Sequence, residues 1–162
     1  MTEGSEAGND RAFAILDSFE KRWDSRYPES ERGKGPWLDG SIMPCLFAIR
    51  IVQGLEFNGG WPSVYYNRAG WAVRLAVHGY HEIGAPLHEA VARNAAAVVA
   101  EAERREPGMD HSSDEWLSGR LMELVGEPDW DRLDDGWLDA EYSENTYLLM
   151  SRYIEDHGLL GS

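Results

Sequence analysis

The chain has 162 residues, 43% hydrophobic and 27% charged, which excludes wholesale disorder and suits one domain with its own core. Its 15 basic against 29 acidic residues give a formal net charge of −14, which argues against a basic face for nucleic acid or an anionic membrane. Cys45 is the only cysteine, so no disulfide forms within the chain and a reducing, cytoplasmic setting is expected.

Residues 1–9 read as a flexible polar N-terminus without the basic start and apolar run of a signal peptide. Phe13, Leu16, Phe19 and Trp23 recur in steps of three and four behind Asn9 or Asp10, which predicts a capped helix over 10–26. Residues 28–40, rich in Gly, Pro and charge, read as a loop. Ser41 is placed to cap the next helix, with Pro44 in its first turn and Leu46, Ile49, Val52 and Leu55 as its core stripe. That helix should end before Asn58-Gly59-Gly60, and a helical turn should follow at 63–67.

A helix from Gly70 to Ile83 closes at Gly84, and Pro86 opens another that runs to Arg105 and stops at Pro107-Gly108. Ser112 and Glu115 have capping-box spacing for a helix to Val125. Residues 126–142 read as loop plus a short helix around 133–140. Ser143 starts a last helix that ends at Gly158, and 159–162 are a tail. No stretch shows sustained strand alternation. The expected architecture is all-α, a single compact domain over 10–158 with roughly seven to eight helices.

The charge is unevenly spread. Residues 1–40 are net −3, residues 41–105 net +1, and residues 106–162 net −12. Its densest part comprises Glu127, Asp129, Asp131, Asp134, Asp135, Asp139, Glu141 and Glu144, with only Arg132 among them. Acids present for helix stability would have Lys or Arg three or four residues away. Such partners are mostly missing, which points either to a solvated face or to a surface for a basic partner.

Residues 131–142 do not form an EF-hand loop, because positions 3 and 12 would be Leu133 and Tyr142. His78 and His81 could share a helix face near a metal, yet no third ligand is fixed by spacing. Cys45 sits beside the core stripe and reads as a small buried hydrophobe. Ser63, His78 and Asp134 supply triad residue types with no spacing that assembles them. No cofactor and no metal are expected, and no enzyme activity is read from the sequence.

The segments Asn58-Gly59-Gly60-Trp61, Tyr65-Tyr66-Asn67 and Ile83-Gly84-Ala85-Pro86, followed by Leu133-Asp134-Asp135 with Trp137, resemble a bacterial family of domains of unknown function. The resemblance covers about residues 45–157 and departs at Ser63, where the family commonly has Gln. The named member of that family is an acidic, all-α DNA mimic that binds a DNA-binding regulator in place of DNA. The resemblance therefore implies a basic, DNA-binding protein partner and no direct contact with nucleic acid or membrane. A homodimer is compatible with this reading.

The expected partner contacts are Asp129, Asp131, Asp134, Asp135, Asp139, Glu141 and Glu144, with Asp134 also a candidate helix cap. Asn58, Gly59, Gly60, Trp61 and Asn67 are expected to shape the fold, the glycines by adopting positive φ and Asn67 by capping the helix near Gly70. The alternatives are an immunity protein that neutralises a basic toxin or nuclease, and a small enzyme of unknown chemistry.

Overall fold

A computed structural model describes the backbone of residues 3–26 and 42–160, with side chains from residue 9 to 22 and from 42 onward. The predicted loop at 28–40, the Ser41 cap and the Trp23 side chain lie outside the described residues. Among the described residues seven α-helices follow one another: α1 (Glu3–Arg26), α2 (Met43–Tyr66), α3 (Gly70–Ile83), α4 (Pro86–Arg105), α5 (Leu121–Val125), α6 (Glu127–Ser143) and α7 (Thr146–Asp156). A π-helical turn, Trp116–Arg120, leads into α5. No strand occurs among the described residues, and no helix among them is long and apolar enough to cross a membrane.

The packing is α2 on α3, α3 on α4, α6 against α4 and α2, and α1 along α7. Leu46, Ile49 and Val52 are fully buried as their spacing predicts, and Pro44 occupies the first turn of α2. Gly84 ends α3 in the left-handed region and Pro86 begins α4. Buried Cys45 has its thiol pKa pushed up, first by burial and then by Glu82, so it is held as an unreactive thiol.

Several expectations are corrected. Helix α1 begins at Glu3, so Asn9 and Asp10 lie inside it rather than capping it. Once its packed segment is helical, each further residue costs little and gains a hydrogen bond. Its buried face is Ala12, Ile15, Leu16 and Phe19, whereas Phe13 is exposed and lies against Tyr147, 5.4 Å between ring centroids. Asn67 caps nothing downstream: its side chain donates back to the Ser63 carbonyl at 2.8 Å. Ser112 is not the cap after the 106–111 turn; Ser113 Oγ accepts the Trp116 N–H at 3.1 Å. The last helix starts from Asn145, whose side chain accepts the Leu148 N–H at 3.0 Å, not from Ser143. Leu159 and Leu160 pack on the core, so the expected tail at 159–162 is docked over its described part.

The largest correction is α6. Residues 127–143 form one helix instead of a loop and a short helix. Trp130, Leu133, Trp137 and Ala140 make a buried seam at helical spacing. Burying one large apolar side chain is worth about 1.5–3 kcal/mol, whereas a like-charge helical pair costs about 0.2–0.5 kcal/mol, so the seam outweighs the crowded acids.

Helix α2 is broken in its last third. Gly59 has φ 171° and ψ 25°, and Gly60 has φ 67° and ψ −171°. Only Gly60 occupies a region that requires glycine, so the expectation of positive φ holds at Gly60 and not at Gly59. The break frees the N–H of Trp61 at the start of a new helical turn, and Asp134 Oδ1 of α6 accepts it at 2.8 Å. A Cβ at Gly60 would overlap that same carboxylate. Gly60→Val should therefore destabilise the protein by about 1–3 kcal/mol. In urea unfolding, Gly59→Ala should cost less, because a Cβ there meets only Ser63, at 3.1 Å.

Candidate functional site

The acids of the last third divide by the face of α6 they occupy. Asp131, Asp135 and Asp139 stand one helical turn apart and are exposed. None of the three forms a side-chain hydrogen bond or ion pair among the described residues. Beside them lie Leu138, 50% exposed, and Tyr142, 89% exposed. The antiparallel register of α2 and α6, fixed by Trp61 on Asp134 and Gln53 on Glu141, brings Phe57 level with Leu138, and Phe57 is 55% exposed. Asp129, half-buried on the opposite shoulder, pairs with Arg132 at 3.0 Å.

The other three candidate residues turn inward. Asp134 holds the Trp61 N–H, and its carboxyl pKa is pushed up mainly by burial; the hydrogen bond opposes that rise, and Asp131 and Asp135 add to it. Glu144 accepts the N–H groups of Leu87 at 2.8 Å and His88 at 3.1 Å. It thus caps α4, where Ala85 offers no side-chain acceptor. Glu144 also faces His88 Nδ1 at 2.7 Å, while Glu141 faces His88 Nε2 at 2.9 Å. Each ring nitrogen of His88 is thus within hydrogen-bond distance of a carboxylate.

His88 is fully buried, stacked on Tyr80 at 5.3 Å and edge-on to Trp137 at 4.7 Å. Trp137 in turn meets Trp61 edge-on at 5.5 Å. Gln53, also buried, donates to Thr146 Oγ1 and, at 3.4 Å, to Glu141. Glu56 sits beside this cluster on α2, and its carboxyl pKa is pushed up to about 8 by burial, with Asp134 and Glu141 adding to the rise. Sequence reading singles out none of Gln53, Glu56, Tyr80 and His88. The available signal was polar residues in an apolar seam: Gln53 follows Val52 directly, and His88 is two residues after Pro86.

The other sequence candidates do not converge. His78 is exposed, and His81 pairs with Glu89 at 3.1 Å. No group of three metal-binding side chains occurs among the described residues. Ser63 serves Asn67 and Asp134 serves Trp61, so neither is arranged around His78.

Two of the motif segments thus form one contact. Asn58-Gly59-Gly60-Trp61 and Leu133-Asp134-Asp135 with Trp137 meet through Asp134 and the two indoles. A family model described as "DMP19-like protein" matches residues 45–157. The chain belongs to the DMP19-like protein family. No curated protein and no solved structure matches it. The matched span begins within α2 and ends just after α7, so it takes in both the broken helix and the acidic helix of this DMP19-like chain.

Two measurements check the buried cluster. The native state holds a proton on Glu56 up to about pH 8, whereas its ordinary value is 4.5. The unfolded chain releases that proton first, so stability should fall as pH rises across this window, by at most about 1.4 kcal/mol per unit. Glu56→Gln should flatten that slope in urea unfolding between pH 5 and 9. His88→Ala removes the donor between two part-buried carboxylates and should cost about 3–5 kcal/mol in the same assay at neutral pH.

Proposed function

We propose that this protein acts by binding. The exposed carboxylate stripe of α6 docks on a basic, DNA-binding protein and covers the surface that partner offers to DNA. The observation that carries this reading is the placement of Asp131, Asp135 and Asp139, which line one face with no cation paired to them among the described residues. Unpaired acids repel one another, so three in a row are costly unless something uses them. The full burial of His88 favours a structural role for the acid–imidazole cluster over turnover. The likeness to a family whose named member is a DNA mimic points the same way.

Magnitudes shape the reading. Residues four apart on a helix rise about 6 Å, whereas duplex DNA carries one charge per about 1.7 Å of axis. The stripe is sparser than DNA and can meet only a few Arg or Lys side chains. Tyr142 and Leu138 beside it supply apolar contact area to the same partner. Asp134, Glu141 and Glu144, which hold α2 and α4, take no part in docking on this reading.

The test is capture from host lysate by the wild type and by Asp131→Asn/Asp135→Asn/Asp139→Asn. The wild type should retain a DNA-binding protein at low salt and lose it at high salt or when duplex DNA is added. The triple variant should fail to retain it while melting at the same temperature or slightly higher. Equal retention by both proteins, or a partner indifferent to salt and DNA, overturns the reading.

A further inference from the structure

A cleft of about 580 Å³ opens where the end of α2, the start of α3, the later half of α4 and the π-helical turn meet. That volume is in the range of small-molecule sites. None of its lining residues lies on α6, so it is separate from the acidic stripe. Tyr65, Trp71 and Trp116 line it, and the α4 side is kept open by small residues such as Ala96 and Ala100.

Two uncommon backbone features border the cleft. Arg68, a non-glycine residue at φ 60°, lies in the left-handed region. Its guanidinium is tied to the Ser112 carbonyl and, at 2.6 Å, to Asp114, so it braces the rim and is already committed. The π-helical turn, a rare geometry frequent at functional sites, supplies Trp116 and Leu117. Conformations of this kind persist where surrounding structure imposes them, and they concentrate at ligand sites.

Two charged lining groups remain, Arg74 and Glu103, and neither forms an ion pair among the described residues. Both act on Tyr65, whose phenol is held protonated mainly by burial; Glu103 reinforces that and Arg74 opposes it. Tyr65 is 5% exposed, and its hydroxyl has no hydrogen-bond partner among the described residues. Among the described residues, an aromatic wall, one cation and one anion outside any ion pair, and an unpaired phenol therefore share one cleft. A pure anion would face Glu103 uncompensated, and a pure cation would face Arg74.

We propose that this cleft binds a small aromatic zwitterion, with its ring against Tyr65, Trp71 and Trp116, its carboxylate on Arg74 and its ammonium on Glu103. Guanidinium matches carboxylate with two parallel hydrogen bonds, and the aromatic wall adds cation–π attraction for the ammonium.

Three probes that share one ring test this by NMR titration of the full-length protein: tryptophan, indole-3-propionate without the ammonium, and tryptamine without the carboxylate. Tryptophan should saturate, shift the Trp71 and Trp116 indole N–H signals, and bind roughly three- to tenfold more tightly than either analogue. Arg74→Gln should remove its advantage over tryptamine and Glu103→Gln its advantage over indole-3-propionate. Ala100→Trp, at an exposed lining position, should abolish all three titrations with an unchanged circular dichroism spectrum. If tryptophan does not saturate, if the three probes bind alike, or if a folded Ala100→Trp protein still binds, the proposal is overturned. The two charge variants decide the matter on their own should Ala100→Trp fail to fold.

Discussion

The hydrogen bond from the Trp61 N–H to the Asp134 carboxylate ties the break in α2 to α6. It exists because α2 breaks at Gly60 and exposes a backbone donor in the interior, where leaving it unpaired would cost about 1–3 kcal/mol. Asp134 satisfies that donor from a helix 73 positions away in sequence, and Gly60 lacks the Cβ that would block it. Break and acceptor therefore require each other. Trp61 and Trp137, one beside each partner, close the joint with an edge-on contact. The register set there carries along the two helices and brings Gln53 to Glu141, while α4 supplies His88 between Glu141 and Glu144.

The same helix performs two electrostatic tasks on opposite sides of one turn. Its inward carboxylates are compensated by backbone N–H groups and an imidazole, which lets them sit in a low-dielectric interior. Its outward carboxylates Asp131, Asp135 and Asp139 have no such partners among the described residues. The apolar seam of Trp130, Leu133, Trp137 and Ala140 holds both sets in place. A net charge of −12 over residues 106–162 thus overstates the charge presented at the surface of α6, because Asp134, Glu141 and Glu144 are spent inside. Glu56, protonated up to about pH 8, is raised by burial and by the neighbouring carboxylates of Asp134 and Glu141.

Family membership adds a constraint to this picture. The matched span runs from the middle of the first turns of α2 to the end of α7 and leaves α1 outside it. Yet α1 packs along α7, and Arg11 reaches Glu155 at 2.6 Å, so the fold of this chain extends beyond the shared span. Exposed ion pairs of that sort are worth at most about 1 kcal/mol, and the apolar face of Ala12, Leu16 and Phe19 does more to hold α1 in place.

Local chemistry in the sequence was enough to determine the all-α class, the limits of α3 and α4, and the burial of Leu46, Ile49 and Val52 on α2. Each rests on short-range rules: apolar spacing, a left-handed Gly84, a Pro at a first turn. Spacing also carried the seam of α6, but a density of acids and Gly136 obscured it, because repulsion is visible in sequence and burial is not. Only the tertiary structure decided which acids face water, because Asp134 and Asp135 are neighbours in the chain and yet lie on different sides of the helix. It alone disclosed the His88 cluster and the cleft at Tyr65, since both are assembled from helices far apart in sequence and neither has a local pattern to betray it.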